Sequence, residues 1–199
     1  MKNNLPLILG SSSVFRQQQL SRLDLPFHVA KPDFDETPQA GETAADTALR
    51  LAIGKARSLQ TAFPAALIIG ADQVAFCQNR QLGKPMSVAK AQQMLQEMSG
   101  QTLHFYSALC VFNSQTGAIH SHVDITQVKM RVLSETQIAN YLAREPDAIY
   151  CAGAAKSEGL GMALIERIDS SDPNALIGLP MLRLIDFLSA EGVDILANA

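Results

Sequence analysis

The sequence predicts an α/β fold on a mixed sheet, and three observations carry that prediction. A short apolar run, Leu7-Ile8-Leu9, closes on Gly10-Ser11-Ser12-Ser13 and leads into a helical stretch. A longer unbroken apolar run, Ala66 to Ala71, follows a capped amphipathic helix. Two β-rich segments, Leu103 to Asn113 and Ile119 to Val132, flank a polar turn at Ser114 to Gly117. Buried apolar strands alternating with helices point to parallel pairing, and the long hairpin adds antiparallel strands.

Each element has a local reason. Leu7 to Leu9 is a buried strand, and the helix after it runs from Val14 to Leu23, with Pro26 past its end. Phe27 to Ala30 is a second strand, and Lys31 to Gly41, with two prolines, is a loop. Thr43-x-x-Asp46 forms a capping box, and Leu49, Ile53, Ala56, Leu59 and Phe63 follow with helical spacing up to Pro64. Ala66 to Ala71 is a central strand that continues extended through Gln73 to Cys77, and Asn79 to Pro85 turns. Ser87 caps a helix reaching Met98, with Gly100 just past its end. After the hairpin, Ser134-x-x-Gln137 opens a helix to Arg144 and Pro146 closes it. Met162 to Ile168 reads as a strand, and Pro180 as the first residue of a helix ending before Gly192.

The 199 residues are 47% hydrophobic and 18% charged. A chain of this size buries about 70% of its unfolded surface, so intrinsic disorder and fibrous classes are excluded. With no repeat, low-complexity tract or linker, one compact domain over residues 1–199 with two lobes is expected. A net charge of −3 without a basic cluster excludes a duplex-binding face. A small anionic ligand stays open, since a pocket needs few cations. Cys77, Cys110 and Cys151 form no C-x-x-C and sit in apolar surroundings, so buried thiols in a reducing compartment are expected. Leu5 to Leu9 is too short for a leader, and no run approaches the ~20 apolar residues of a spanning helix. A cytoplasmic protein with no membrane or nucleic-acid partner is the expectation. His28, His104, His120 and His122 are scattered and complete no metal site.

Six short segments could carry chemistry. At residues 7–16 a strand ends, hydroxyl residues turn and a helix begins, so unpaired N–H groups and the helix dipole suit a phosphate. Ser11 and Ser13 add hydroxyls and Arg16 adds a bidentate fork. A plain Ser-capped helix fits those residues equally well. Asp72, in Gly70-Ala71-Asp72-Gln73-Val74, follows a buried strand at the end where α/β ligand sites form. Its carboxylate could hold a divalent metal, take a proton from water, or merely end the strand in a turn. Gly83-Lys84-Pro85 presents Lys84 on a stiff turn, and Asp35-Glu36-Thr37 lies in a Pro-flanked acidic loop. Lys55 interrupts an apolar helical stretch, where snorkelling is the simplest account. Residues 151–161, Cys-Ala-Gly-Ala-Ala-Lys-Ser-Glu-Gly-Leu-Gly, make a tight loop that a flat ligand could approach, or a structural turn.

In this order, SSSxxR, DET, a lysine on an apolar helix, GADQV, GKP, SG, AGAAKSEGLG and DPNALIGLP resemble the Maf family. Its members were once described as septum-formation inhibitors and are now regarded as nucleoside triphosphate pyrophosphatases. The resemblance spans residues 5–195; the single motifs are weak and the ordered set is specific. Many Maf proteins carry a Tyr-Gly-Ile-Gln type of sequence in the late loop, where this chain has Lys156-Ser157-Glu158. That variant, with Asp72-Gln73 and an aromatic at position 15, resembles the subgroup that hydrolyses 7-methyl-GTP. The subgroup's aromatic is tryptophan; Phe15 keeps a stacking face here.

The resemblance implies an elongated mixed β-sheet flanked by helices, in two lobes with a cleft between them, and a nucleoside triphosphate substrate. It implies a divalent cation, Mg²⁺ or Mn²⁺, and allows a homodimer. Asp72 would be the proton acceptor with metal nearby, and Glu36 would help with metal or water. Ser11, Ser13, Arg16, Lys55 and Lys84 would hold the triphosphate. Phe15, Gln73 and Glu158 would set base specificity, with Lys156 in the same loop. Two other classes stand beside this one: a non-catalytic nucleotide-binding regulator of cell division, and a phosphohydrolase with another outcome, such as removal of the terminal phosphate or a preference for dTTP or UTP.

Overall fold

A computed structural model describes residues 5–37 and 39–197. Pro38 of the acidic loop, the first four residues of the stretch read for a leader, and the last two residues of the chain lie outside that range. The elements in order are β1 (Leu7–Gly10), α1 (Val14–Ser21), β2 (Phe27–Ala30), α2 (Ala44–Arg57), β3 (Leu67–Cys77), β4 (Arg80–Leu82), α3 (Val88–Met98), β5 (Thr102–Asn113), β6 (Ile119–Met130), α4 (Glu135–Arg144), β7 (Ile165–Asp169) and α5 (Met181–Ala190).

Seven strands form one mixed sheet in the order β2-β1-β3-β5-β6-β7, with β4 on β3. β1 pairs in parallel with β2 and β3, while β4 on β3 and β7 on β6 are antiparallel. The described residues group into two compact units, the number of lobes expected. The first holds the chain up to Gln73, Ser107–Asp124 and the chain from Asp172 onward; the second holds Val74–Tyr106 and Ile125–Ser171.

In the first unit the period of two along each strand sorts side chains to opposite faces. Leu7 and Leu9, Leu67 and Ile69, and Leu109 and Val111 point one way and pack with Leu20 of α1 and Leu184 and Leu188 of α5. Each fully buried leucine there contributes about 2 kcal/mol. The opposite face of β1 and β3 meets α2. A Cβ built on Gly70 would lie 2.1 Å from the Ala52 carbonyl oxygen, so the helix rests directly on the strand backbone. Gly10 pairs with Gly70 in register and leaves similar room beside Leu59. In the second unit α3 packs on α4 and on the turn Ala152–Ala154.

Caps fall where the sequence places them. Ser13, Thr43, Ser87 and Ser134 each accept a backbone N–H at a helix start, and Thr43 and Ser134 complete capping boxes. Five expectations need correction. Arg80–Leu82, read as part of a turn, is strand β4 paired with β3. The first helix ends at Ser21, because Leu23 N donates to Leu20 O in a closing turn. α2 stops at Arg57 rather than reaching Pro64, and the chain turns through Gln60. Leu160–Leu164 is a 3₁₀ turn, and the strand begins only at Ile165. Gly159 and Gly161 let the chain fold back on Lys156, whose carbonyl accepts from both their N–H groups. Pro180 is the residue before α5 rather than its first. Cys77 and Cys110 are buried as expected, but Cys151 is only half-buried. Among the described residues no helix is long and apolar enough to cross a membrane.

Candidate active site

The close approach of α2 to β3 sets up the chemistry. With no side chain on Gly70, Lys55 comes close over β3 and donates to Asp72 Oδ1 at 2.7 Å; Asp72, expected at the end of a strand, lies in the middle of β3, which runs on to Cys77. The same ammonium lies 3.0 Å from Glu36 Oε2. Lys55 and Asp72 are buried, while the Glu36 side chain is 60% exposed. Lys55 therefore does not snorkel; it joins two carboxylates from different parts of the chain. Asp72 Oδ2 makes no hydrogen bond among the described residues.

Arg16 completes this group. Ser11 is buried and its Oγ accepts from Ser13 N at 3.2 Å and from Arg16 Nη1 at 3.4 Å. Arg16 Nε donates to Gly178 O at 3.0 Å. Burial pushes the guanidinium pKa down, against the pull of the Asp72 and Glu36 charges. Arginine stays charged through such a shift, and its Nη2 makes no hydrogen bond among the described residues. Ser13 caps α1 by accepting Arg16 N, and Phe15 is half-buried on the first turn. The first unit thus brings together Ser11, Ser13, Arg16, Glu36, Lys55 and Asp72.

The DPNALIGLP segment holds that group in place. Asp172 accepts Asn174 N and, through its other oxygen, Leu182 N at 2.7 Å in the first turn of α5. Between those anchors, Gly178 O faces Arg16. Gln73 Nε2 donates within reach of Ser107 Oγ, Ala175 O and Leu176 O, at 2.9, 3.1 and 2.9 Å. That amide nitrogen has no hydrogen left for a base, so only its Oε1 could meet one. Ser107 escaped the sequence reading, and Asp172 and Gly178 entered it only within the DPNALIGLP motif, with no role assigned. Their partners are distant in the chain, and no local spacing signals them.

Lys84, Lys156 and Glu158 lie in the second unit. Lys84 is exposed on its turn, and the neighbouring Gly83 O accepts Gly153 N at 3.2 Å. Lys156 Nζ donates to Glu145 Oε1 at 2.8 Å, and Glu145 Oε2 accepts Leu160 N at 3.0 Å. That hydrogen bond raises the Lys156 pKa and lowers that of Glu145. Tyr141 OH donates to Ala154 O and accepts Lys156 N, each at 3.0 Å; burial pushes its pKa up to about 12. Tyr141 and Glu145 therefore set the late loop, and neither is signalled by any local pattern. Glu158 is exposed and accepts only from Ser157 Oγ, at 3.3 Å. Burial pushes the Cys151 thiol up to about 11, Glu158 adds to the rise, and Lys156 and Lys84 oppose it. At neutral pH that thiol is protonated and a poor nucleophile.

Among the described residues, no three His, Cys, Asp or Glu side chains gather into a metal-holding group. Asp72 and Glu36 do supply hard oxygen donors on one ammonium. Magnesium is commonly bound by one or two carboxylates plus substrate phosphates, and this donor set fits that pattern. The charge count fits it too. Arg16 and Lys55 are balanced by Asp72 and Glu36, so this group has no surplus positive charge for a polyphosphate.

One ion pair beside the site has a pH signature. Arg50 holds Glu42 through two hydrogen bonds, one of 2.9 Å, and this pulls the Glu42 pKa from its ordinary 4.5 down to about 2. A depressed carboxylate value stabilises the fold above the unfolded pKa and loses that contribution as pH falls through the folded one. Glu42→Gln should therefore lower the denaturation midpoint at pH 6, and the difference from the parent should vanish as pH falls from about 4.5 to about 2. A difference that persists at pH 2 would assign the loss to shape rather than charge.

The sequence model of the family described as Maf-like protein matches residues 6–191. A protein named 7-methyl-GTP pyrophosphatase from Neisseria gonorrhoeae is 63% identical over 192 residues, covering 96% of this chain and 98% of that protein. One of the same name from Chromobacterium violaceum is 53% identical over 190 residues, covering 96% and 98%. Among solved structures, a HAM1 protein from Coxiella burnetii superposes with a TM-score of 0.45 at 15% identity, covering 80% of this chain and 98% of that one.

Proposed function

The chain belongs to the Maf family, and from that premise we propose that it is a nucleoside triphosphate pyrophosphatase acting on 7-methyl-GTP. It splits the α–β phosphoanhydride to give 7-methyl-GMP and diphosphate. The observation that carries this reading is the buried Lys55 ammonium shared by Asp72 and Glu36, with Arg16 held close by. Relatives named 7-methyl-GTP pyrophosphatase support the substrate.

A triphosphate carries about four negative charges near neutral pH and repels an incoming nucleophile, so catalysis is mainly positioning and charge neutralisation. Asp72 Oδ2 takes a proton from the attacking water. The water oxygen bonds to the α-phosphorus, and the bond to the bridging oxygen breaks with its electron pair leaving on diphosphate. Lys55 keeps Asp72 oriented and offers its positive charge to the phosphates. Arg16, fixed by Gly178 and Ser11, turns its Nη2 hydrogens to phosphate oxygens. A divalent cation, Mg²⁺ or Mn²⁺, would be held by Asp72 and Glu36 with substrate oxygens and would neutralise the polyphosphate there.

The family resemblance assigns base choice to Phe15 and Glu158. Methylation at N7 makes the guanine ring cationic, and a cation over an aromatic face gains about 0.5–2 kcal/mol. The exposed Glu158 carboxylate can accept the guanine N1–H and N2–H. Gln73 is better used as a brace for residues 175 and 176.

Product analysis tests the reading. Incubation of 7-methyl-GTP with protein and divalent metal should release diphosphate and 7-methyl-GMP, and a chelator should stop it. kcat/KM should fall from 7-methyl-GTP to GTP to dTTP and UTP. Phe15→Ala and Glu158→Gln should each compress the first of those ratios. Orthophosphate as the product, or no turnover of any nucleotide, would sink the proposal.

A further inference from the structure

Glu36 poses a problem that the site alone does not solve. It sits on the exposed loop between β2 and α2, yet its carboxylate is 3.0 Å from a buried ammonium. An exposed ion pair has little energy with which to order a loop and a long side chain. Something else must seat this loop on α2.

The fastening is visible on both sides of Glu36. On one side, Asp35 Oδ1 accepts Thr37 N and Thr37 Oγ1, and Arg50 Nη2 donates to Thr37 O at 3.1 Å. On the other side is Phe34. Gly54 stands within α2, where glycine is unfavourable relative to alanine. A Cβ built there would lie 2.2 Å from Phe34 Cζ and 2.4 and 2.5 Å from its two Cε atoms. The tip of the ring fills the space that any other residue's side chain would take. Residues 50 and 54 are one turn apart on the same helix face, and Lys55 follows directly.

We propose that Phe34 and Gly54 are positioning residues, a ring and a notch that hold the Glu36 carboxylate against Lys55. This rests on the reading of Glu36 as a working carboxylate of the site. Gly54→Ala fills the notch, lifts the ring and moves Glu36 off its mark, although alanine favours the helix itself. A displacement of about 1 Å can lower turnover as much as 10²-fold.

A set of variants assayed on 7-methyl-GTP, each with its thermal midpoint, tests this. Glu36→Gln should lower kcat, as the underlying reading requires. Gly54→Ala should lower kcat about tenfold or more with KM little changed and no fall in midpoint to match. In the Phe34→Ala background, where no ring is left to displace, Gly54→Ala should cause no further loss of kcat. In the Glu36→Gln background it should likewise add nothing. If Glu36→Gln lowers kcat but Gly54→Ala does not, the notch is a packing detail and this inference is wrong. Equal losses from Gly54→Ala with and without Phe34 also overturn it. Unchanged kcat in Glu36→Gln removes the reading beneath it instead.

Discussion

Asp72→Asn is expected to lower kcat by about 10²-fold or more, the usual scale for loss of a general base. Asparagine keeps the shape and the oxygen that accepts from Lys55 at 2.7 Å. It removes the charge and the basic lone pair on the second oxygen. Lys55 retains Glu36 at 3.0 Å, so the buried ammonium is not left alone. The fold should therefore hold, with a loss of stability on the scale of one altered charged hydrogen bond, about 1.5–3 kcal/mol. Single-turnover rates with 7-methyl-GTP and a denaturation curve on the same sample separate the two effects. Near-normal turnover would place the base elsewhere, with Glu36 the next candidate.

Where a residue's neighbours are close in sequence, its role is legible there. The caps at Thr43, Ser87 and Ser134 are read correctly because donor and acceptor are three residues apart. Asp72 is legible because an acid within a buried apolar run has few structural reasons to be there, although the strand does not end before it but continues to Cys77. The span of β2 and the hairpin turn are also readable from local pattern. The reading fails where tertiary contacts decide. Met162 to Leu164 is apolar enough for a strand, but the turn is set by Tyr141 and Glu145 on another element. Lys55 looks like a snorkelling lysine until Gly10 and Gly70 are seen to bring α2 down onto β1 and β3. Gln73 reads as a base contact by resemblance, while its acceptors at 175 and 176 lie 102 and 103 residues away.

Lys55→Met should separate stability from catalysis. The substitution keeps an unbranched side chain in the helix and deletes the ammonium. Asp72, 8% exposed, then loses its cation and faces the Glu36 charge without one between them. Breaking a buried ion pair by removing one partner typically destabilises by about 3–5 kcal/mol, because the remaining charge is buried without compensation. Turnover should fall as well, by about 10²-fold or more, since a fixed positive charge at a developing anion is lost. Neutralising the stranded partner should reverse only the first effect. In Lys55→Met with Asp72→Asn no buried charge is left unpaired, and Glu36 is solvated by water, so much of the lost stability should return while activity stays low. Urea denaturation and kcat/KM on the two single variants and the double variant decide this. If the double variant is no more stable than Lys55→Met, the loss comes from packing around the helix, and Asp72 and Lys55 are not coupled in the way their geometry indicates.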